Sequence, residues 1–201
     1  MHISEGVLSA PVLITGAVLS AAGVAIGLKK MSYDKIPQVA VLSSAFFVAS
    51  LIHVPIGPSA AHLVLNGLLG ILLGWMAFPS ILVALSLQAL LFQFGGFTVL
   101  GVNTMIMGVP AIVAYTLFTP LVKRKSIPVI SAGAFLAGMT GIAFGAIIIA
   151  LTLIQTGESF MNVAKVIIIA HIPVMIIEGF VTAFCVLFLK KVKPEILEVS
   201  K

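Results

Sequence analysis

The sequence predicts an all-α membrane protein, a bundle of about seven transmembrane helices. Of its 201 residues, 61% are hydrophobic and 8% are charged, whereas soluble domains carry roughly 25% charged residues. The mean hydropathy is +1.27. Since a spanning helix needs about 20 apolar residues, seven passes with short connections fit into one transmembrane domain over residues 1–201.

Seven apolar segments predict one helix each. The first contains Pro11 in its opening turn, where proline is tolerated. The third opens at Ser59, a residue type that favours a helix N-cap, so we expect His62 in its first turn, on the same face as Asn66. The predicted helices are 7–28, 37–52, 59–78, 80–92, 104–122, 128–154 and 163–189.

A glycine-rich but apolar stretch, 95–103, separates the fourth and fifth predicted helices. We interpret it as irregular backbone at membrane depth, which is stable only where protein buries it or where it lines a cavity. Asn103 at its end is a candidate site residue. Its alternative role is to satisfy backbone groups of the loop.

The positive charges predict the orientation. If seven passes alternate, only Lys165 of the 11 Lys and Arg residues falls on one side of the membrane, and the other ten fall on the opposite side. The positive-inside rule makes that opposite side cytoplasmic, together with the C-terminus. The N-terminus, His53 and His62 are then external. This asymmetry explains the net charge of +5 without a nucleic-acid partner. The ten are Lys29, Lys30, Lys35, Lys123, Arg124, Lys125, Lys190, Lys191, Lys193 and Lys201.

The chain opens with Met1-His2, which places four nitrogen atoms close together: the α-amine, the backbone nitrogen of His2 and two ring nitrogens. Three of them can bind one metal through small fused chelate rings, if the metal displaces the amide proton. A plane of nitrogens suits Ni(II) or Cu(II), and His53 and His62 are candidates for a fourth ligand. As a short motif this is weak, because His62 is also typical of a core or capping residue and His53 of an interfacial one.

Two ionisable residues lie in the seventh predicted helix. His171 and Glu178 are seven residues apart and therefore share one helix face. An ionisable group at membrane depth costs about 2.5–3.5 kcal/mol on insertion scales and is a functional candidate by default. The structural alternative is a protonated Glu178 hydrogen-bonded to a neighbouring helix or loop. We expect Glu178 to lie too deep to reach an external Met1.

Catalytic signatures are absent from the sequence. It contains no His-Glu-x-x-His zinc motif, no Gly-x-Ser-x-Gly elbow and no phosphate-binding loop of the Gly-x-x-x-x-Gly-Lys-Ser/Thr type. The chain is therefore not expected to be an enzyme or to hydrolyse ATP itself. Two alternatives to metal capture remain open: an ion-coupled secondary transporter using His171 and Glu178, and a haem- or quinone-binding subunit using the histidines.

Three stretches together resemble the CbiM/NikM family, the substrate-binding membrane subunits of energy-coupling-factor transporters for cobalt and nickel. The resemblance covers essentially the whole chain. It is carried by Met1-His2-Ile3-x-Glu5-Gly6, by Pro58-Ser59-Ala60-Ala61-His62-Leu63, and by Gln88-Ala89-Leu90-Leu91-Phe92 followed by Gly95-Gly96-Phe97-Thr98-x-Leu100-Gly101-x-Asn103.

The resemblance implies a specific metal site. The tail would fold back into the bundle, and the Met1 amine, the His2 backbone and ring nitrogens and His62 would hold Ni²⁺ or Co²⁺ as the transported substrate. The loop ahead of Asn103 would cover the site. His53 stands where some members carry Asn and is a candidate additional ligand. No organic cofactor is implied.

The resemblance also implies partners and a location. Uptake would need a coupling transmembrane subunit and cytoplasmic ABC-type ATPase subunits, often with a small accessory membrane subunit. The protein would lie in the lipid bilayer of a prokaryotic plasma membrane as a multi-pass protein, and the family name links it to cobalamin biosynthesis.

Overall fold

A helical bundle forms the body of the protein. The structure, a computed structural model, describes residues 1–51, 53–56 and 59–198, with the side chains of all of these except 53–56, 59–61 and 198. The predicted all-α class is confirmed. The helices are α1 (Ala10–Lys29), α2 (Ile36–Ala49), α3 (Asn66–Leu73), α4 (Ala77–Phe92), α5 (Leu100–Val122), α6 (Ile127–Thr156), α7 (Met161–Val192) and the four-residue α8 (Glu195–Glu198).

Five segments of the described chain are long and apolar enough to cross a membrane. Four of them are single helices or a helix with its leading turn, and one joins α3 to α4 through the 3₁₀ turn Gly74–Met76. At 14 residues, α2 is shorter than the roughly 20 residues that a bilayer requires. The five are Ala10–Lys29, Asn66–Phe92, Leu100–Val122, Ile127–Thr156 and Glu158–Val192.

The predicted third helix is wrong over its first part. Ser59–His62 is a strand, β2, which pairs antiparallel with β1 (His53–Ile56) so that His53 lies opposite His62. Ser59 therefore caps no helix, and His62 is not in a first helical turn. The expectations for positions 57 and 58, and for Lys201, fall outside the described residues.

The late start of α3 has an electrostatic and hydrogen-bonding cause. Between His62 and Asn66 the backbone is not helical, and Leu65 adopts a left-handed conformation with φ 55°. The backbone amides of Val64 and Leu65 donate to Oε1 of Glu178, the second over 2.9 Å. A carboxylate at the start of a helix also interacts favourably with the helix dipole.

The other predicted boundaries are closer to the structure. Helices α1, α2, α6 and α7 begin and end within three residues of expectation. The positive φ of 54° at Gly74 ends α3 early, and α4 begins at Ala77. The prediction of irregular backbone over 95–103 was only partly correct, because α5 already begins at Leu100 and Asn103 lies in its first turn.

Neighbouring long helices run in opposite directions. Gly133 near the start of α6 lies beside Leu121 near the end of α5, and Phe135 packs edge-on against Phe180 in the second half of α7, with ring centroids 5.0 Å apart. The bundle thus has two ends. We call the end with residues 1–9 and the β-hairpin the tail end, and the end with Lys29, 123–125 and 190–193 the basic end.

The close packing of α3 against α5 gives a test of the fold. A Cβ at Gly70 would overlap the carbonyl oxygen of Ala111. Overpacking of this kind costs typically about 1–3 kcal/mol, so Gly70→Ala should lower the unfolding temperature of the purified protein in detergent. The control is Gly157→Ala, where the new Cβ would meet only Oγ of Ser159 at 3.7 Å. Equal unfolding temperatures for both variants would contradict this packing.

Candidate metal centre

The first three residues insert into the tail end of the bundle. Met1 and Ile3 have no exposed surface and His2 retains 7%. Asn103 of α5 holds the tail at two points: the Ile3 amide donates to its Oδ1 over 2.9 Å, and its Nδ2 donates to the Ile3 carbonyl over 3.1 Å. The Met1 side chain fits only because α6 has no Cβ at Gly145, where one would lie 2.9 Å from the Met1 sulfur.

The glycine-rich loop covers the tail through Glu5. The Glu5 amide donates to the Gly95 carbonyl over 3.0 Å, and its Oε1 accepts from the amide and hydroxyl of Thr98 over 2.9 and 3.2 Å. Donation by the Thr98 amide lowers the pKa of Glu5. Gly96, at φ 119°, leaves room for the Glu5 side chain, which a Cβ there would overlap. The loop is thereby fastened over the start of the chain.

Gln88 of α4 selects the tautomer of His2. Its side-chain nitrogen donates to Ser50 and, over 3.4 Å, to the Phe47 carbonyl, which turns its oxygen toward His2. Nε2 of His2 lies 2.7 Å from that oxygen and must donate to it. Nδ1 of His2 therefore carries the lone pair. Nδ1 is also the ring nitrogen that can close a six-membered chelate ring with the backbone nitrogen of its own residue.

His62 presents the complementary nitrogen. Its Nδ1 donates to the Leu63 carbonyl over 2.7 Å, so that Nε2 carries the lone pair. Nε2 lies 3.0 Å from Nδ1 of His2 and also contacts the Met1 amine. The two rings are tilted by 31° with centroids 4.7 Å apart. Two ring lone pairs and an amine thus converge on one buried point.

This convergence has the chemistry of a cation site. The pKa values of the Met1 amine and of His62 are lowered mainly by burial, which disfavours their charged forms. Neutral amine and imidazole nitrogens are metal ligands. Imidazole nitrogens bind an ion such as Zn²⁺ at about 2.0–2.1 Å, so two nitrogens at a right angle lie about 2.9 Å apart. The 3.0 Å separation of the two ring nitrogens matches that spacing.

The other predicted site residues take different positions. His53 faces His62 in the hairpin register, but its side chain lies outside the described residues, so its role stays a prediction. Asn66 is buried and donates to the Gly141 carbonyl over 3.0 Å, away from the ring nitrogens. Asn103 positions the tail through Ile3.

His171 and Glu178 are fully buried in α7 but are not part of the nitrogen cluster. His171 donates from Nδ1 to the Ile167 carbonyl over 2.7 Å. The Glu178 carboxylate attracts the protonated Met1 amine, partly offsetting the effect of burial on the amine pKa. Glu178 was expected to lie too deep to reach an external Met1; because the tail enters the bundle, both residues are fully buried.

The described residues contain no group of three or more His, Cys, Asp or Glu side chains that could hold a metal. The cluster instead combines two imidazoles with the chain's own amine. The structure brings Met1, His2 and His62 together, and their role as metal ligands stays a prediction. Sequence reasoning did not assign roles to Gln88, Glu5 and Thr98, although all three lie within the motifs that carry the family resemblance.

Known proteins similar to this chain are named for metal transport. Residues 2–196 match the family described as CbiM, cobalt uptake substrate-specific transmembrane region. A Haemophilus influenzae protein provisionally named a metal transport protein is 41% identical over 98% of this chain and 97% of its own length. The cobalt transport protein CbiM of Sorangium cellulosum is 33% identical over 98% of this chain and 95% of its own length.

Solved structures agree with this assignment. A crystal structure of a transition metal transporter superposes with a TM-score of 0.76 at 29% identity, covering 96% of this chain and 93% of the other. A truncated transition metal transporter gives the same TM-score at 27% identity, covering 95% of this chain and 99% of the other. The chain belongs to the CbiM family and is a substrate-specific membrane component of cobalt or nickel uptake.

Proposed function

We propose that this chain captures Ni²⁺ or Co²⁺ for an ATP-driven energy-coupling-factor importer, in a planar site made by the Met1 amine, the His2 backbone nitrogen, Nδ1 of His2 and Nε2 of His62. The observation that carries the proposal is the convergence of the amine and both ring nitrogens, with the ring nitrogens 3.0 Å apart. The His2 backbone nitrogen joins the amine and Nδ1 in fused five- and six-membered chelate rings, and the metal displaces its proton.

The donor set narrows the substrate to late first-row ions. Imidazole suits nickel and copper among others, and tetragonal nitrogen sites are typical of Ni(II) and Cu(II). Among similar proteins, several are named for cobalt and others for nickel, including a fused NikMN protein of Rhodobacter capsulatus. The Rhodobacter capsulatus protein is 33% identical over 72% of this chain. These names support nickel and cobalt as substrates ahead of copper.

The proposed orientation follows from charge. The basic end, with Lys29, 123–125 and 190–193, lies at the cytoplasmic surface of a prokaryotic plasma membrane under the positive-inside rule. The tail end then captures the ion from outside. Membership of the CbiM family supports the rest of the proposal: inward release depends on a coupling transmembrane subunit and cytoplasmic ABC-type ATPases, with a small accessory membrane subunit in some assemblies.

One observation favours a second function, ion-coupled secondary transport. Nε2 of His171 and Oε2 of Glu178 are buried and have no hydrogen-bond partner among the described residues. Such groups are typical of intramembrane ion pathways. This function predicts that the N-terminus is incidental to uptake.

An insertion into the tail separates the two functions. Calorimetry of Ni²⁺ and Co²⁺ binding to purified protein with its native N-terminus should show tight binding. Insertion of Gln-Ala between Met1 and His2 should weaken it at least a hundredfold, because the amine and the His2 backbone nitrogen are then too far apart along the chain to share a five-membered ring.

The matched control is insertion of Gln-Ala after Ser159, in the turn between α6 and α7, which should leave the affinity unchanged. Equal affinities for the native protein and the tail insertion would place the site elsewhere, for example at His53 and His62. The metal that binds more tightly identifies the substrate.

The role of Gln88 gives a second test. Gln88→Met removes the acceptor that fixes Nε2 of His2 as the donor. Loss of such a supporting hydrogen bond typically costs about 10–100-fold in metal affinity, which competition with a chromogenic chelator would measure. The same substitution at Gln38, which bonds the Leu72 carbonyl near the basic end over 3.3 Å, is the control. Unchanged affinity in Gln88→Met would contradict the assigned tautomer.

A further inference from the structure

Glu178 occupies an unusual place in the bundle. Its side chain has no exposed surface, and its Oε1 accepts the backbone amides of Val64 and Leu65, the second over 2.9 Å. These amides lie two and three residues after His62. Burial disfavours the charged form of this carboxyl group, and the two amide donors with the nearby start of α3 offset part of that cost, because they interact more favourably with a carboxylate than with a carboxylic acid. The second oxygen, Oε2, has no hydrogen-bond partner in the described part of the protein.

The other carboxyl side chains that the structure describes are exposed to solvent. Glu5, Asp34, Glu158 and Glu195 are all exposed. Within the residues whose side chains the structure describes, Glu178 is thus the buried carboxyl group. Burial lowers the pKa of the Met1 amine, and the charge of Glu178 acts in the opposite direction by raising it. The proposed metal site therefore has one fixed negative charge in its surroundings.

The charges of the loaded site require such a group. A divalent ion with a neutral amine, two neutral imidazoles and one deprotonated amide carries a net charge of +1. An isolated charge in a low-dielectric interior is strongly disfavoured unless an opposite charge compensates it. One carboxylate makes the loaded site neutral overall.

We propose that Glu178 is the counter-charge of the bound divalent cation, held beside the site by the backbone amides that follow His62. The inference rests on the proposed function, since it presupposes metal bound by the tail and His62. Glu178 is not a ligand. It stabilises the cation through space, and its Oε1 also fixes the backbone between His62 and α3. The lack of a hydrogen-bond partner for Oε2 in the described part of the protein is consistent with this role, because no local donor offsets the negative charge on that oxygen.

The test removes the charge and keeps the shape. Glu178→Gln retains an oxygen that can accept the amides of Val64 and Leu65, so that His62 keeps its place. The full-length protein with its native N-terminus is titrated with Ni²⁺ by calorimetry, and the absorption band of the planar nickel site is recorded. We expect at least a tenfold loss of affinity, about 1.4 kcal/mol, with the band unchanged. The exposed Glu158→Gln, at the same end of the bundle, should change affinity less than twofold.

A second pair of variants tests the role of the Glu178 charge if Glu178→Gln does not fold. Glu178→Asp and Glu178→Asn are equal in size and differ in charge, and the aspartate variant should bind Ni²⁺ at least tenfold more tightly. Native affinity in Glu178→Gln, or equal affinities in the Asp and Asn variants, would overturn the inference. So would loss of the planar band, which indicates a structural role alone. Failure of the unmodified protein to bind either metal would instead overturn the proposed function.

Discussion

The two-point hydrogen bond between the Asn103 side chain and the Ile3 backbone determines how the first residues are placed. An extended tail inside an apolar bundle must have its peptide groups satisfied, and Asn103 provides both a donor and an acceptor for one residue. With Ile3 fixed, Met1 reaches the gap beside Gly145 and His2 reaches Gln88. The nitrogen cluster thus depends on polar contacts made by Asn103 and Gln88, which lie outside the cluster.

The opposite half of the cluster depends on a non-helical break between the β-hairpin and α3. His62 can approach His2 because the chain leaves the hairpin in an extended form and only then enters α3. Glu178 stabilises this break by accepting the amides of Val64 and Leu65. Irregular backbone of this kind is stable in a membrane protein where surrounding protein buries it or where it lines a site. The break is therefore part of the site rather than a defect of the bundle.

Apolar runs were sufficient to predict the bundle and most helix ends, because length and hydropathy decide which segments span a membrane. They failed between 59 and 66, where Ser59 has the residue type of a helix cap but the backbone follows hairpin pairing and the bonds to Glu178. Those bonds join residues more than a hundred positions apart, which no local pattern reveals. The prediction that Met1, His2 and His62 lie together came from the family resemblance. Gln88 was not assigned, because its role lies in a tautomer that only three-dimensional contacts define.

Anomalous diffraction from crystals of the nickel- or cobalt-loaded protein, measured at the absorption edge of the metal, tests the central claim most directly. The account predicts one strong anomalous peak between the Met1 amine, Nδ1 of His2 and Nε2 of His62. The peak should lie in the plane that these three atoms share with the His2 backbone nitrogen. Such a peak would locate the ion in the tail-built site. A peak beside His171 or Glu178, or one held by His53 without the Met1 amine, would contradict it.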